Sequence, residues 1–214
     1  MHFNQFLPGA NDKFGFNIRK TMNIGIITYG AGNVASVQNA LDRLGVKSLI
    51  SDDHKILEQC DKLIFPGVGH AAHAMENLSR KGLDVLLKEF KKPVLGICLG
   101  MQMMGTESEE GPTKGLGLLD FGVKRFDISE KVPHMGWNSI EIKDHPLFDG
   151  IENGSHFYFV HGYYAELFAG TIASTDYEIP FSAAVASGNY FGVQFHPEKS
   201  GPAGAKILKN FVKL

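Results

Sequence analysis

VLGICLGMQMM (94–104) is the stretch on which the fold hinges. It begins directly after Pro93 with VLGI, a short apolar run that reads as a buried strand. It continues into LGMQMM, which suits a helix. Gly96 and Gly100 stand two residues before and after Cys98. That spacing is the pattern of a strand-to-helix elbow, a bend so tight that flanking side chains would clash. A cysteine at its tip sits at a helix N-terminus, where amide dipoles favour the thiolate, the attacking species in acyl chemistry. Taken alone, the same pattern also fits a small buried cysteine, so a base must be sought elsewhere in the chain.

Upstream of the elbow, apolar runs alternate with helical periods. NIGIITY (23–29) is β-branched and ends in Gly30-Ala31-Gly32. Asn33 can cap a helix whose stripe is Val34, Val37, Leu41 and Leu44, and Gly45 stands where a helix ends. VKSLI (46–50) and KLIF (62–65) read as strands, with helical patterns over 71–79 and 83–90. This rhythm predicts a parallel sheet with helices on both faces. Downstream, FGVKRF, NSIEI, HFYFVHGYY, TIAST, FSAAVAS and NYFGVQF are strand-like and separated by turns. A final helix after Pro202 carries Ile207, Leu208, Phe211 and Val212. The expected class is α/β: three αβα layers, a mostly parallel central sheet, and additional antiparallel strands in the second half. Residues 1–21 lack any period and read as a peripheral extension, with 22–214 as a single domain.

Composition narrows the function. The chain has 214 residues, a net charge of −2 and 43% hydrophobic residues, which fits a globular domain and gives no basic field for nucleic acid. No apolar run reaches the roughly 18 residues of a membrane span, and the N-terminus lacks a secretory pattern. Two cysteines, Cys60 and Cys98, make no disulfide framework and point to a reduced cytoplasmic setting.

Gln194-Phe195-His196-Pro197-Glu198 closes the NYFGVQF run. His196 can take the thiol proton and return it to a leaving group, and a third group must hold its tautomer. If the strand end is extended, His196 and Glu198, two apart, point to the same side. Phe65-Pro66-Gly67-Val68-Gly69 follows another strand, and its glycines allow backbone N–H groups to face a ligand. Amides of Leu99 and of the Val68/Gly69 turn are candidate donors to an oxyanion.

GICLGMQ followed by GVQFHPEKSG resembles the class I glutamine amidotransferases. YGAGNVASVQNAL (29–41), FPGVGHA (65–71), KVPHMGWN (131–138) and YFVHGYY (158–164) are similar, more narrowly, to the glutaminase subunits of imidazole glycerol phosphate synthases. The resemblance covers nearly all of the chain after Met22. It implies cleavage of L-glutamine to glutamate and ammonia through a γ-glutamyl thioester, with Cys98 as nucleophile, His196 as base and acid, and Glu198 orienting it. It implies that Gln102, Gly162 and Tyr163 help hold glutamine, and that Val68, Gly69 and Leu99 serve the oxyanion. It further implies a heterodimer with a (β/α)8-barrel synthase subunit. That partner would combine the ammonia with a ribulosyl nucleotide in histidine biosynthesis, giving imidazole glycerol phosphate and aminoimidazole carboxamide ribotide. Asn33, Trp137, Asn138, Tyr158 and Lys199 would lie at that interface, and no cofactor or metal is implied. The alternative is a paralogous glutaminase feeding another synthase, for example in nucleotide-sugar modification. Two positions depart from the family pattern: Thr28 stands where an acidic residue is common, and Gly162 where a hydroxyl residue is frequent.

Other features read as structural. His70, His73 and Glu76 could form a metal half-site but fit a helix start better. Met101, Met103 and Met104 read as core filling. Gly30-x-Gly32 lacks the third glycine of a dinucleotide fingerprint, with Ala35 in its place. Glu107, Glu109 and Glu110 read as a solvated loop, and Cys60 as structural.

Overall fold

The NIGIITY run becomes β1 (Ile24–Ile27), whose four residues are all buried. The structure is a computed structural model and describes residues 22–30 and 33–214. The extension expected over 1–21, and Ala31 and Gly32 of the glycine turn, lie outside the described residues.

The first half alternates as its periods predict. It runs α1 (Val34–Arg43), β2 (Ser48–Ser51), α2 (His54–Gln59), β3 (Lys62–Gly67), α3 (Ala71–Arg80), α4 (Leu83–Glu89), β4 (Val94–Cys98) and α5 (Leu99–Met103). Asn33 caps α1 by accepting a hydrogen bond from Ser36 N. Helix α2 is not visible in the apolar pattern because six residues are too few to show a period. Asp53 starts it, its carboxylate accepting from Lys55 N at 2.8 Å and Ile56 N at 3.2 Å.

The second half is mostly β: β5 (Glu107–Ser108), β6 (Thr113–Lys114), β7 (Gly122–Arg125), β8 (His134–Ser139), β9 (Glu141–Ile142), β10 (His156–His161), β11 (Tyr163–Ala165), β12 (Thr171–Tyr177), β13 (Ile179–Ser187) and β14 (Tyr190–Val193). Helix α6 (Gly201–Lys213) closes the chain. The main sheet has the order β2-β1-β3-β4-β14-β13-β12-β9. Its first five strands are parallel and the rest antiparallel. The ribbon β8/β10 and a four-stranded sheet β11-β7-β5-β6 flank it.

Two apolar cores cover the two faces of the main sheet. One packs Val37, Leu41, Ile207, Leu208 and Phe211 of α1 and α6 against Ile26, Ile64 and Leu95. The other packs Leu78, Leu83 and Leu87 of α3 and α4 against Ile27, Phe65 and Val94. Alternate residues of each strand therefore feed opposite layers, which is why these strands read as continuous apolar runs. Met101, Met103 and Met104 are all buried in the second core.

The structure corrects three local expectations. HFYFVHGYY is not one strand: the chain breaks at Gly162, and β10 pairs with β8 while β11 pairs with β7. The PHMGWN segment is largely β8, beginning four residues before the predicted NSIEI run. NYFGVQF stops as a strand at Val193, and Pro197–Lys199 form a 3₁₀ turn.

Candidate active site

Register brings the site together at the C-terminal edge of the parallel strands, where open α/β sheets bind ligands. Gly67 at the end of β3 lies opposite Cys98 at the end of β4. Val193, three residues before His196, lies opposite Ile97.

Cys98 adopts φ 53° and ψ −113°, a rare conformation for a residue with a side chain. Packing enforces it. A Cβ on Gly100 would stand 1.8 Å from the Phe65 carbonyl oxygen, and one on Gly96 would stand 2.7 Å from Met101 N. The elbow glycines thus let α5 press against β3 and against the strand that precedes it. The Cys98 thiol is buried, 3.8 Å from the Val160 carbonyl, and the Gln194 side-chain amide donates to its sulfur at 3.7 Å.

The His196 ring is 2% exposed, and its Nδ1 lies 2.8 Å from Glu198 Oε1, whose side chain is equally buried. The expected pairing is present, but an extended strand end is not its cause. The 3₁₀ turn over Pro197–Lys199 folds the carboxylate back onto the ring. The His196 backbone is fixed on both sides: its N–H donates to Tyr158 O, and its carbonyl accepts from Ser200 Oγ at 2.7 Å. Among the described residues, His196 Nε2 is buried without a hydrogen-bond partner, as are Glu198 Oε2 and the Tyr29 hydroxyl. Burial works to lower the His196 pKa, but the neighbouring Cys98 and Glu198 outweigh it and hold it at about 9. Burial, and secondarily Cys98, raises the pKa of Tyr29.

Cys98 and His196 open on one cleft of about 290 Å³, lined also by Val68, Gly69, Leu99, Gln102, Gly162 and Tyr163. All the residues expected to bind substrate or oxyanion therefore share one space. Gln102 is held rigidly, its amide donating to Tyr163 O at 2.8 Å and to Gln194 Oε1 at 2.9 Å. Val68 is 42% exposed and Gly69 has φ +105° in the turn beside the cleft.

The residues expected at the interface form a looser set. Trp137 is 56% exposed and meets Tyr158 edge-on at 6.2 Å, and Lys199 Nζ lies 5.8 Å above the Tyr158 ring. Asn33 lines a narrow crevice with His196 and Glu198. Asn138 turns inward, donating to Asp176 O at 2.8 Å.

Three groups in or behind the cleft carry no site signal in the sequence. Gln194 lies in the Gln194–Glu198 motif and bonds both the Cys98 sulfur and Gln102. His161 was hidden in what read as a plain strand. Glu110 corrects the expectation of a solvated acidic loop. It lines the cleft, and its carboxylate accepts from Ala71 N at 2.8 Å, because the first amides of α3 lack partners of their own. No local sequence signal pairs positions 39 residues apart. His70 caps α3 through Nδ1 and His73 pairs with Asn77, and among the described residues no group of His, Cys, Asp or Glu is placed to hold a metal ion.

The description "Glutamine amidotransferase class-I" fits the chain over residues 26–214. This chain belongs to the class I glutamine amidotransferase family. Two relatives of this amidotransferase are imidazole glycerol phosphate synthase subunits HisH. The one from Bacteroides fragilis (strain YCH46) is 50% identical over 196 residues, covering 90% of this chain and 100% of the relative. The one from Vibrio cholerae serotype O1 is 47% identical over 202 residues, covering 91% and 100%. Solved structures share the amidotransferase fold at low identity. One, a glutamine amidotransferase, has a TM-score of 0.70 at 21% identity, covering 89% of this chain and 97% of that one. PurLQS from Thermotoga maritima gives 0.69 at 18%, covering 90% and 98%. The three-layer architecture read from the sequence is the one these structures have.

Proposed function

We propose that this chain is the glutaminase subunit of an imidazole glycerol phosphate synthase in histidine biosynthesis. What carries the chemistry is one arrangement: a buried thiol and a buried imidazole, the latter backed by Glu198, opening on a cleft sized for a small amide. Half-identity to HisH subunits along their full length supports this acceptor pathway.

In this mechanism His196 takes the Cys98 proton and the thiolate adds to the side-chain carbonyl carbon of glutamine. Amides of Leu99 and the Val68/Gly69 turn receive the developing oxyanion. His196 returns the proton to the nitrogen, the C–N bond breaks, and ammonia leaves a γ-glutamyl thioester. Water, deprotonated by His196, then attacks that thioester to release glutamate and restore the thiol. Glu198 holds the imidazole so that Nε2 faces the sulfur. Gln102, Gly162 and Tyr163 would position the substrate, and the Glu110 carboxylate, which lines the same cleft, would receive its ammonium group.

The partner in this reading is a (β/α)8-barrel synthase subunit seated over Asn33, Trp137, Tyr158 and Lys199, with Asn138 turned inward behind them. Enclosed transfer keeps ammonia unprotonated and therefore nucleophilic. The turn at Val68 and Gly69 would respond to the partner, and such coupling requires the acceptor nucleotide to favour one state of it. The test is glutamine turnover by the chain alone, with the synthase subunit, and with that subunit plus its nucleotide. Turnover should rise across the series. No turnover under any condition would sink the glutaminase, and equal rates with and without nucleotide would sink the coupling.

A further inference from the structure

An unbroken set of polar contacts runs from β8 to the nucleophile. Asn138 Nδ2 lies 3.5 Å from His134 Nε2, and His134 Nδ1 lies 3.2 Å from His161 Nε2. His161 Nδ1 lies 2.7 Å from the Tyr163 carbonyl, which also accepts from Gln102. Gln102 donates to Gln194, and Gln194 donates to the Cys98 sulfur.

Chemistry fixes the direction of every histidine link. A carbonyl only accepts, so His161 Nδ1 carries the hydrogen and donates to Tyr163 O. If the ring is neutral, His161 Nε2 is an acceptor and His134 Nδ1 must donate to it. His134 Nε2 then holds a lone pair, toward which Asn138 offers an N–H. Protonating His161 would set N–H against N–H inside the pair, and protonating His134 would set its Nε2–H against the Asn138 amide. Both rings are buried, with His134 stacked between Phe159 and Tyr177. Burial depresses both pKa values, to about 4 for His134 and about 3 for His161, so neutrality agrees with the geometry. The backbone breaks at Gly162, between the histidine and the carbonyl it holds. The His161 side chain bridges that break.

We propose that His134 and His161, locked as one pair of neutral Nδ1–H tautomers, are positioning residues that hold the Tyr163 carbonyl against Gln102 and so set the glutamine cleft from the β8 side. The assignment rests on the glutaminase reading and deepens it. Neither imidazole moves a proton in the reaction. Their work is to keep one edge of the cleft in register with the nucleophile's own hydrogen-bond partners.

Two substitutions of His161 separate the links. An asparagine amide falls near the place of Nδ1, and a glutamine amide near that of Nε2. In the complex with the synthase subunit, His161→Asn should keep the bond to Tyr163 O and a KM for glutamine within about twofold of wild type. His161→Gln should leave that carbonyl short of a donor and raise KM about tenfold, with kcat changed less, the effect expected of an under-satisfied buried acceptor. Side-chain nitrogen NMR of the wild type near pH 7 should show both rings neutral and protonated at Nδ1. A wild type that hydrolyses no glutamine overturns the glutaminase reading and this assignment with it. An active wild type whose two His161 variants share one KM, or whose rings carry the hydrogen on Nε2, overturns the assignment alone.

Discussion

Cys98 owes its reactivity to where the backbone holds it and to what meets its sulfur. Removing the sulfur with Cys98→Ala should lower glutaminase kcat by roughly 10³-fold or more, because among the described residues lining the cleft Cys98 carries the only thiol. A stopped-flow or coupled glutamate assay with the synthase partner checks this. Glu198 acts one step removed. Glu198→Gln keeps the shape but loses the charge that holds the imidazole, and kcat should fall by about 10²-fold or more. The same pair sets a pH dependence of stability. His196 has its folded-state pKa raised to about 9 from an unfolded value near 6.5. A raised value stabilises the folded state fully below the unfolded pKa and loses that contribution as pH climbs through about 9. Wild-type urea midpoints should therefore drop between pH 6.5 and 9.5, and Glu198→Gln should drop less. Parallel curves would refute the linkage.

At the scale of elements, the elbow is a packing problem before it is a catalytic one. Helix α5 lies so close to β3 that any side chain at Gly100 would overlap the Phe65 carbonyl, a backbone atom that cannot rotate away. Gly100→Ala should destabilise the chain by roughly 3 kcal/mol or prevent folding, the upper range for overpacking. Thermal unfolding reads it as a fall of several degrees. The ribbon β8/β10 works differently: it buries Phe157 and Phe159 in the core and displays its other side. Trp137 and Tyr158 pair across its two strands on a face turned outward. Aromatic residues exposed in this way are common anchors of interfaces. Trp137→Ala should weaken binding to the synthase subunit by about 30-fold or more, measured by titration of one subunit with the other. The other side of the ribbon touches the catalytic residues directly. Tyr158 O accepts from His196 N, and Val160 O lies beside the Cys98 thiol.

Over the whole molecule, the sequence determined what is local. Gly96, Cys98 and Gly100 defined a strand, a bend and a helix because sterics at such a turn depend on neighbours within two residues. Apolar periods marked the alternating first half because burial on both sheet faces leaves a continuous trace in the chain. Pairing of strands across the molecule left no such trace. The break at Gly162 sends β10 and β11 to different sheets, and only their partners show it. The turn that seats Glu198 against His196 looked like an extended strand end, since two residues of alternation and a 3₁₀ turn read alike over so short a span. Glu110 reached the cleft because α3, far away in sequence, had amides to satisfy. The histidine pair likewise exists only where β8 and β10 lie side by side. Short-range sterics and periodic burial are written residue by residue; contacts between distant segments are set by packing the complete chain, and it is packing that carried Gln194, Glu110 and His161 to the sulfur's surroundings.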